Sequence, residues 1–220
     1  MPRPSQSVLS RPVIARAALE LLEEQGVDGL KMRTIADRLG VRGASLYHHV
    51  ASKDDLLDAA AELVNDEIEL GPLAEPGGPA GIALYARGYR RVYLRYPHMI
   101  PLVARHRVTS PKALRGYDAL LEALTAAGHT PAGAAETAAA LDNLVLGSAL
   151  ETFTAGFDRT PAEYAPDYPH LAAGLDASAR AGGGLAGLDE RGFERGLRLL
   201  LAGPRPDDAP AGAGAGAGPA

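Results

Sequence analysis

The chain has 220 residues and carries 22 Lys and Arg against 27 Asp and Glu, a formal net charge of −5. Its 46% hydrophobic and 22% charged residues are typical of globular proteins and exclude a disordered or fibrous chain. The lack of cysteine excludes a disulfide-stapled fold, a thiolate metal site and a cysteine nucleophile. No apolar run reaches the roughly 18 residues of a membrane span, and the N-terminus lacks the apolar segment of a signal peptide. We therefore expect a cytoplasmic protein with no membrane partner.

Apolar residues recur with helical spacing along nearly the whole chain, and no alternating run of β-branched residues indicates a strand. We predict an all-α fold. A first helix ends at Gly26, a second, short helix ends at Gly40, and a third short segment covers residues 43–50. Ser52 is the predicted N-cap of a longer fourth helix. Two short helices joined by a glycine turn are typical of a helix-turn-helix DNA-binding unit, although a plain helical hairpin has the same pattern.

Basic side chains concentrate between residues 31 and 53, although the chain as a whole is acidic. This stretch contains one carboxylate, that of Asp37, and five cations: Lys31, Arg33, Arg38, Arg42 and Lys53. Such a cluster is expected where a protein contacts phosphates, and it also occurs on an ordinary solvated helix face.

The stretch from Ile14 to Val64 carries a series of linked motifs. They are a Gly-Leu pair before the second helix, IADRLGV at 35–41, LYHHV at 46–50 and the start of the fourth helix at Lys53. On these motifs the stretch resembles, without a gap, the N-terminal domain of the tetracycline-repressor (TetR) family of bacterial transcriptional regulators. The resemblance implies a helix-turn-helix regulator that binds double-stranded operator DNA.

The resemblance and the side-chain chemistry together assign roles at this surface. Tyr47 is expected to donate its hydroxyl to a phosphate, and Lys53, at a helix N-terminus, to bind the same anion. Arg33 is the best candidate to reach a guanine edge or a phosphate. The third segment, at 43–50, is expected to be the recognition helix that enters the major groove, and His48 and His49 within it are expected to have packing or phosphate roles. The other predicted DNA contacts are Lys31, Arg42, Gly43, Ala44, Ser45, His48 and His49.

A helix predicted over 80–96 carries tyrosines at helical spacing on one face and arginines on another. It is either an amphipathic core helix, or its tyrosine hydroxyls line a cavity for a small-molecule ligand. The candidate ligand-binding tyrosines are Tyr85, Tyr89, Tyr93 and, from the next long helix, Tyr117.

Small residues dominate a helix predicted over 131–157, and Gly192 lies four residues before Gly196 in a last helix over 189–202. Small faces let helix axes approach closely, so we predict that these two helices from each of two subunits form a homodimer interface. Burial within one chain is the alternative. The segment 158–188, rich in proline and glycine, is predicted to be a mobile loop with at most one helix.

The C-terminal half resembles more weakly the regulatory domain of the tetracycline-repressor subgroup, through HRVTSP at 106–111 and DNLVLGSALE at 142–151. In that subgroup a histidine, a threonine three residues later and a glutamate from the partner subunit help to hold a magnesium–tetracycline complex. His106, Thr109 and Glu151 fall on the matching positions, and Asn143 completes the candidate ligand set. Other drug-contacting positions of the subgroup differ here, so we predict no metal site and no cofactor. Polar core or interface roles for His106 and Glu151 are favoured, with a magnesium–ligand complex as the alternative.

These features predict a homodimeric, ligand-responsive repressor that binds a palindromic operator and is released by a small-molecule inducer. An activator, or a regulator without an inducer, is one alternative. An all-α enzyme with acid or base groups among His98, His106, Asp142 and Glu151 is the other. No catalytic motif supports it, so we predict no enzymatic activity.

Composition and helix breaks set the predicted domain boundaries. The DNA-binding domain covers 9–52, a linker helix 53–70, and a ligand-binding and dimerisation domain 80–202. The low-complexity tail at 203–220 is predicted to be disordered.

Overall fold

The described part of the chain forms α-helices and short 3-10 turns, and no β-strand occurs in it. A computed structural model describes residues 9–104, 108, 110–150 and 153–202. The α-helices in chain order are α1 (Arg11–Gln25), α2 (Met32–Leu39), α3 (Gly43–Leu46), α4 (Lys53–Asp66), α5 (Gly71–Ala74), α6 (Gly78–Arg95), α7 (Ile100–Val103), α8 (Pro111–Ala126), α9 (Pro131–Leu150), α10 (Pro161–Tyr164), α11 (Pro169–Arg180) and α12 (Leu188–Leu200). The predicted all-α fold is confirmed.

Helices α1 to α4 enclose a first hydrophobic core. Ile14, Ile35, Leu46 and Leu56, one from each helix, are fully buried in it. Each lies on the apolar stripe of its own helix, so the four stripes can be buried only by packing against one another. This packing holds the two short helices α2 and α3 against the longer pair α1 and α4.

The turn between α2 and α3 depends on Gly40, which adopts the left-handed conformation at φ +65° and ψ +31°. A side chain at this position would be strained, whereas glycine accepts it freely. The N–H of the next residue, Val41, donates to the carbonyl oxygen of Ala36 at 3.0 Å and so closes the end of α2. This compact turn brings α3 across α2, as the predicted helix-turn-helix requires.

A second hydrophobic core forms among α6, α8, α9 and α12, and it also includes parts of α1 and α4. Leu22 of α1 and Val64 of α4 are buried in this second core, although neighbouring residues of the same helices belong to the first. Leu102, in α7, packs against both cores. Helices α1 and α4 therefore contribute buried residues to both cores.

Polar contacts strengthen these connections. Arg11 of α1 donates to Asp55 at 2.9 Å and to Glu62 at 2.8 Å, both on α4. Glu23 of α1 lies 3.1 Å from a ring nitrogen of His98, in the 3-10 turn at 97–99. Burial raises the pKa of the Glu23 carboxyl, and the contact with His98 opposes this.

The segment 158–188 contains two helices, α10 and α11, so the prediction of a loop with at most one helix was wrong. Pro161 and Pro169 are each the first residue of one of these helices, a position at which proline starts a helix rather than ending it. Thr160 and Glu163 also form a capping box at the start of α10. The helix predicted over 131–157 corresponds to α9, which is described as far as Leu150. Residues 153–156 of the predicted helix form a 3-10 turn instead.

Candidate functional site

The side chains predicted to contact DNA lie on the surface of the first four helices. Tyr47 is 56% exposed, although the residue before it, Leu46, is fully buried. Its predicted neighbours at this surface are also accessible, with Gly43 and Ser45 half-buried and the rest exposed: Lys31, Arg33, Arg42, Ala44, His48, His49 and Lys53. Leu46 and Val50 are buried in the first core and hold α3 against it, so the side of α3 that faces away from this core is exposed to solvent.

A hydrogen-bond network fixes the start of α4, where Lys53 is the first residue. The Ser52 hydroxyl accepts from the N–H of Asp55 at 3.0 Å, which confirms the predicted N-cap. The Asp55 carboxylate accepts from the N–H of Ala51 at 2.7 Å and from Arg11. The two hydrogen bonds that the Asp55 carboxylate accepts lower its pKa, and the bond from Arg11 is the larger cause. Lys53 is thus presented from a fixed helix end, where the helix dipole favours an anion.

The basic cluster divides into bound and available cations. Arg38 donates to Glu24 and lies 3.7 Å from Glu20, so its charge is compensated. Arg33 approaches Asp37 only at 3.9 Å, and its side chain is 94% exposed. Lys31, Arg42 and Lys53 make no ion pair within the described part of the chain. The available charge therefore lies along α2, the turn after it and the start of α4.

A cavity of about 270 Å³ lies in the second core, between α4, α6, α8 and α9. Its wall brings together the four tyrosines singled out from the sequence: Tyr85, Tyr89, Tyr93 and Tyr117. Asn143 does not line this cavity and is exposed. With 3.6 residues per helical turn, the side chain next to Asp142 points about 100° away from it. His106, Thr109 and Glu151 lie outside the described residues, as does the tail at 203–220.

Asp142 of α9 is the hydrogen-bonding centre of the cavity. Its Oδ1 accepts the hydroxyl of Tyr89 at 2.7 Å and that of Tyr117 at 3.4 Å. Burial raises the pKa of Asp142, and these two hydrogen bonds oppose the rise. Burial and the Asp142 charge raise the pKa of Tyr117 to about 12 and also raise the pKa of the other three tyrosines. All four hydroxyls therefore remain protonated near neutral pH.

Sequence reasoning considered Asp142 only as an acid or base of an enzyme and missed its place in the cavity wall. A signal was present, because Ala138, Asp142 and Leu146 are spaced four residues apart and share one face of α9. All three line the cavity. A carboxylate on an otherwise apolar helical stripe is expensive to bury, and it indicates a polar cavity or a partner.

Helix α4 forms part of the same wall through Asn65, with Ile68 just after the helix. The Tyr93 hydroxyl donates to Oδ1 of Asn65 at 3.3 Å. Since α4 begins at Lys53, one helix connects the basic surface with the cavity. Neither the contact nor the connection follows from the spacing of residues along the chain.

We expect Asp142→Asn to stabilise the protein more at neutral pH than in acid. A carboxyl whose folded-state pKa is raised favours the folded state while protonated, and this contribution is lost as the pH rises through the folded-state pKa. Asparagine retains an acceptor for Tyr89 without the charge. The gain at pH 7 should be on the order of 1 kcal/mol, the usual size for one substitution. Urea unfolding from pH 4 to 7 measures it. An identical pH profile for wild type and variant would contradict the burial of this charge.

No group of three or more histidine, aspartate and glutamate side chains within the described ranges is arranged to hold a metal ion. The predicted lack of a metal and of a cofactor stays a prediction, since His106 and Glu151 are among the residues not described. None of the described helices is both long and apolar enough to cross a bilayer.

Two family matches cover most of the chain. Residues 14–60 match the tetR family of bacterial regulatory proteins, and residues 80–205 match the tetracyclin repressor-like C-terminal domain. The chain therefore belongs to the TetR family of bacterial transcriptional regulators, with a helix-turn-helix DNA-binding domain followed by a tetracycline repressor-like domain.

Individual relatives agree with this family. An HTH-type transcriptional regulator of Saccharopolyspora erythraea is 34% identical over 90% of this chain and 86% of its own length. The class A tetracycline repressor protein of transposon 1721, from Escherichia coli, is 34% identical over 86% of this chain and 88% of its own. The crystal structure of Streptomyces coelicolor ActR with actinorhodin superposes with a TM-score of 0.70 at 26% identity, covering 89% of this chain and 95% of ActR.

Proposed function

We propose that the protein is a homodimeric repressor that binds a palindromic operator and is released when a small molecule fills the tyrosine-lined cavity. One observation carries the proposal: α4 begins at the basic surface with Lys53 and ends in the cavity wall with Asn65. A ligand that displaces Asn65 acts on the same helix that presents Lys53. Helix α4 therefore contributes residues both to the cavity and to the proposed DNA surface, and a shift of this helix can couple the two sites.

The basic surface supports the DNA-binding part of the proposal. Its available cations come before and after α3 in the chain and are exposed, as phosphate contacts require, while the exposed side of α3 is free to face a major groove. Glycine and alanine at 43 and 44 leave its leading end without bulk, so backbone can approach the bases closely. Direct base contacts then come from few side chains, chiefly Arg33, Arg42 and Ser45.

The surface of α9 and α12 supports a homodimer. Within the chain these helices already pack together, since a Cβ on Gly196 would lie only 3.0 Å from Leu144. Packing within the chain therefore explains part of their apolar pattern, as the alternative proposed from the sequence requires. Leu150 and Leu199 nevertheless remain exposed, and Gly147 and Gly192 face open space. A second copy can cover these leucines and approach closely at the glycines.

Release follows from a population shift. If the DNA-bound geometry of α4 and the ligand-bound geometry of the cavity differ, the ligand favours subunit arrangements in which the two α3 helices no longer match successive major grooves. Coupling of this kind is reciprocal, so operator DNA must weaken ligand binding by the same factor. ActR, which has a similar fold, forms a complex with actinorhodin, and this supports a small-molecule ligand for the present protein.

Selection of bound duplexes from a random pool tests the DNA-binding part. The expected consensus is an inverted repeat with half-sites centred about one helical turn, or a multiple of it, apart, bound by an even number of subunits. Mass measurement of the complex gives the stoichiometry. A consensus without two-fold symmetry, or no enrichment at all, would contradict the proposed palindromic operator.

Filling the cavity tests the release mechanism. A Cβ on Gly116, which lines the cavity, would meet only Leu70 at 3.6 Å, so Gly116→Val extends into the open space. An organic extract of the source bacterium should dissociate wild type from the selected duplex and leave the variant bound. Gly88→Ala, on α6 with no atom within 4 Å of the added carbon, is the matched control and should respond as wild type. Equal release of both variants would place the ligand elsewhere.

A further inference from the structure

Within the described wall of the cavity, no cation pairs with the Asp142 carboxylate. Oδ1 of Asp142 accepts two tyrosine hydroxyls, while Oδ2 accepts no hydrogen bond from any described residue. Two neutral hydroxyls compensate only part of the cost of removing a carboxylate from water. A carboxylate has about four acceptor positions, so about two, those on Oδ2, are left for a ligand.

The cation in the described wall of the cavity is already engaged. Lys112 lines the cavity, but its ammonium donates to the carbonyl oxygen of Asp66 at 3.4 Å and lies 3.6 Å from the carboxylate of the same residue. No other arginine, lysine or histidine lines the described wall. The charge left uncompensated in that wall is therefore negative.

Aromatic rings surround this charge. The Tyr85 and Tyr89 ring centroids are 5.9 Å apart, and those of Tyr89 and Tyr93 are 5.3 Å apart with the rings edge to face. Tyr117 closes the group from α8 through its hydrogen bond to Asp142. Rings in such a group attract a cation through their electron-rich faces and stack against planar apolar groups. The rest of the wall is mostly aliphatic, from residues such as Ile68, Leu120 and Leu141.

We propose that the cavity selects a ligand with a protonated amine attached to an aromatic body, and that Oδ2 of Asp142 binds the amine. The tyrosine rings contact the aromatic body and the alkyl carbons next to the nitrogen, and the Tyr85 hydroxyl, which has no hydrogen-bond partner among the described residues, is available to a polar substituent. The inference rests on the function proposed above, because it names the chemical class of the ligand for the same cavity.

The charge also predicts which ligands the cavity rejects. A carboxylate or phenolate ligand would have to lie beside Asp142 without a free cation in the described wall, so like-charge repulsion opposes its binding. A neutral alcohol can donate one hydrogen bond to Oδ2 but brings no charge. The expected order of affinity for ligands of one shape is therefore cation, neutral molecule, anion.

Three probes of nearly equal shape test this order: naphthylmethylamine, naphthalenemethanol and naphthoate. Isothermal titration calorimetry at pH 7, with the full-length protein and no DNA, measures each dissociation constant. We expect the amine to bind about tenfold or more tightly than the alcohol, as a cation beside a carboxylate and aromatic rings requires, and naphthoate to bind most weakly. Any other order, including no binding by the amine, overturns the proposal.

Two variants test whether Asp142 binds the amine and whether the probes bind in this cavity. Asp142→Asn should bring the amine and the alcohol to within about threefold of each other, whereas Asp118→Asn, which removes an exposed carboxylate from α8, should keep the wild-type order. Gly116→Val should weaken all three probes. Circular dichroism verifies that each variant is folded. Persistence of the amine preference in Asp142→Asn would overturn the assignment to this carboxylate.

The probe experiment tests the ligand class and the DNA experiments test the proposed function, so the failure of one can be distinguished from the failure of the other. If the selected duplex is bound and released by the extract, while naphthoate is preferred over the amine, the regulator is retained and the ligand class is wrong. If the amine is preferred but no duplex is bound, the cavity chemistry holds and the proposed function fails.

Discussion

Replacement of Tyr47 or Lys53 by alanine is expected to weaken binding to every duplex by a similar factor. Both side chains are exposed, and we expect them to contact phosphates rather than base edges. Removal of one phosphate contact costs about 1 kcal/mol, so a complex with two subunits is weakened by about 2 kcal/mol, roughly thirtyfold in Kd. Fluorescence anisotropy with the selected operator and a scrambled duplex measures both affinities.

Salt dependence adds a second measurement to the same experiment. Lys53→Ala removes a cation from the phosphate backbone and should reduce the slope of log Kd against log salt by about one per subunit, whereas Tyr47→Phe should leave the slope unchanged. Arg180→Ala is the matched control, since Arg180 is a cation on α11 that pairs with Asp176 and lines neither the cavity nor the basic surface. A change in sequence preference, rather than a uniform weakening, would show that these residues read bases.

Gly81→Ala is expected to destabilise the protein by about 2–3 kcal/mol, the range for overpacking a close contact. Gly81 is buried in the first turns of α6, and a Cβ there would lie 2.1 Å from the carbonyl oxygen of Pro72. Because that oxygen belongs to the backbone of α5, relief requires α5 and α6 to separate. The cavity should change as well, since Tyr85 follows one helical turn later.

Gly88→Ala provides the comparison, because it makes the same chemical change in the same helix with no atom within 4 Å of the new carbon. Alanine is a better helix former than glycine, so this variant should be neutral or more stable by up to about 1 kcal/mol. Urea unfolding at one protein concentration gives both values. Equal stability of the two alanine variants would show that α5 does not lie as close to α6 as the structure has it.

The first four helices could be predicted from the sequence because their signals are local. Caps, glycine ends and apolar stripes lie within a few residues of one another, and Gly40 and Ser52 mark their helix ends as expected. The exposure of Tyr47 beside the buried Leu46 follows from the same periodicity. The tyrosine spacing of α6 likewise indicated one shared face, although it left open whether that face was core or cavity.

The segment with α10 and α11 was predicted incorrectly because proline has opposite effects at different positions. Proline ends a helix from within it but is favoured at its first residue, and a count of prolines cannot distinguish the two. The capping pair Thr160 and Glu163 was the local signal that distinguishes them. Attention to the residues around each proline, rather than to composition, would have predicted α10.

The all-α class and the ends of the first helices follow from the sequence alone, because helix periodicity, caps and glycine turns act over distances of a few residues. The same local pattern fits a plain helical hairpin, and the resemblance of residues 14–64 to the TetR family is what predicted a helix-turn-helix with a DNA-binding basic surface. The packed fold was needed to show that Arg38 is compensated by Glu24, that Asp142 accepts from Tyr89 and Tyr117, and that α4 joins the basic surface to the cavity. These contacts join residues far apart in the chain. Their formation depends on how whole helices pack, which no local pattern specifies.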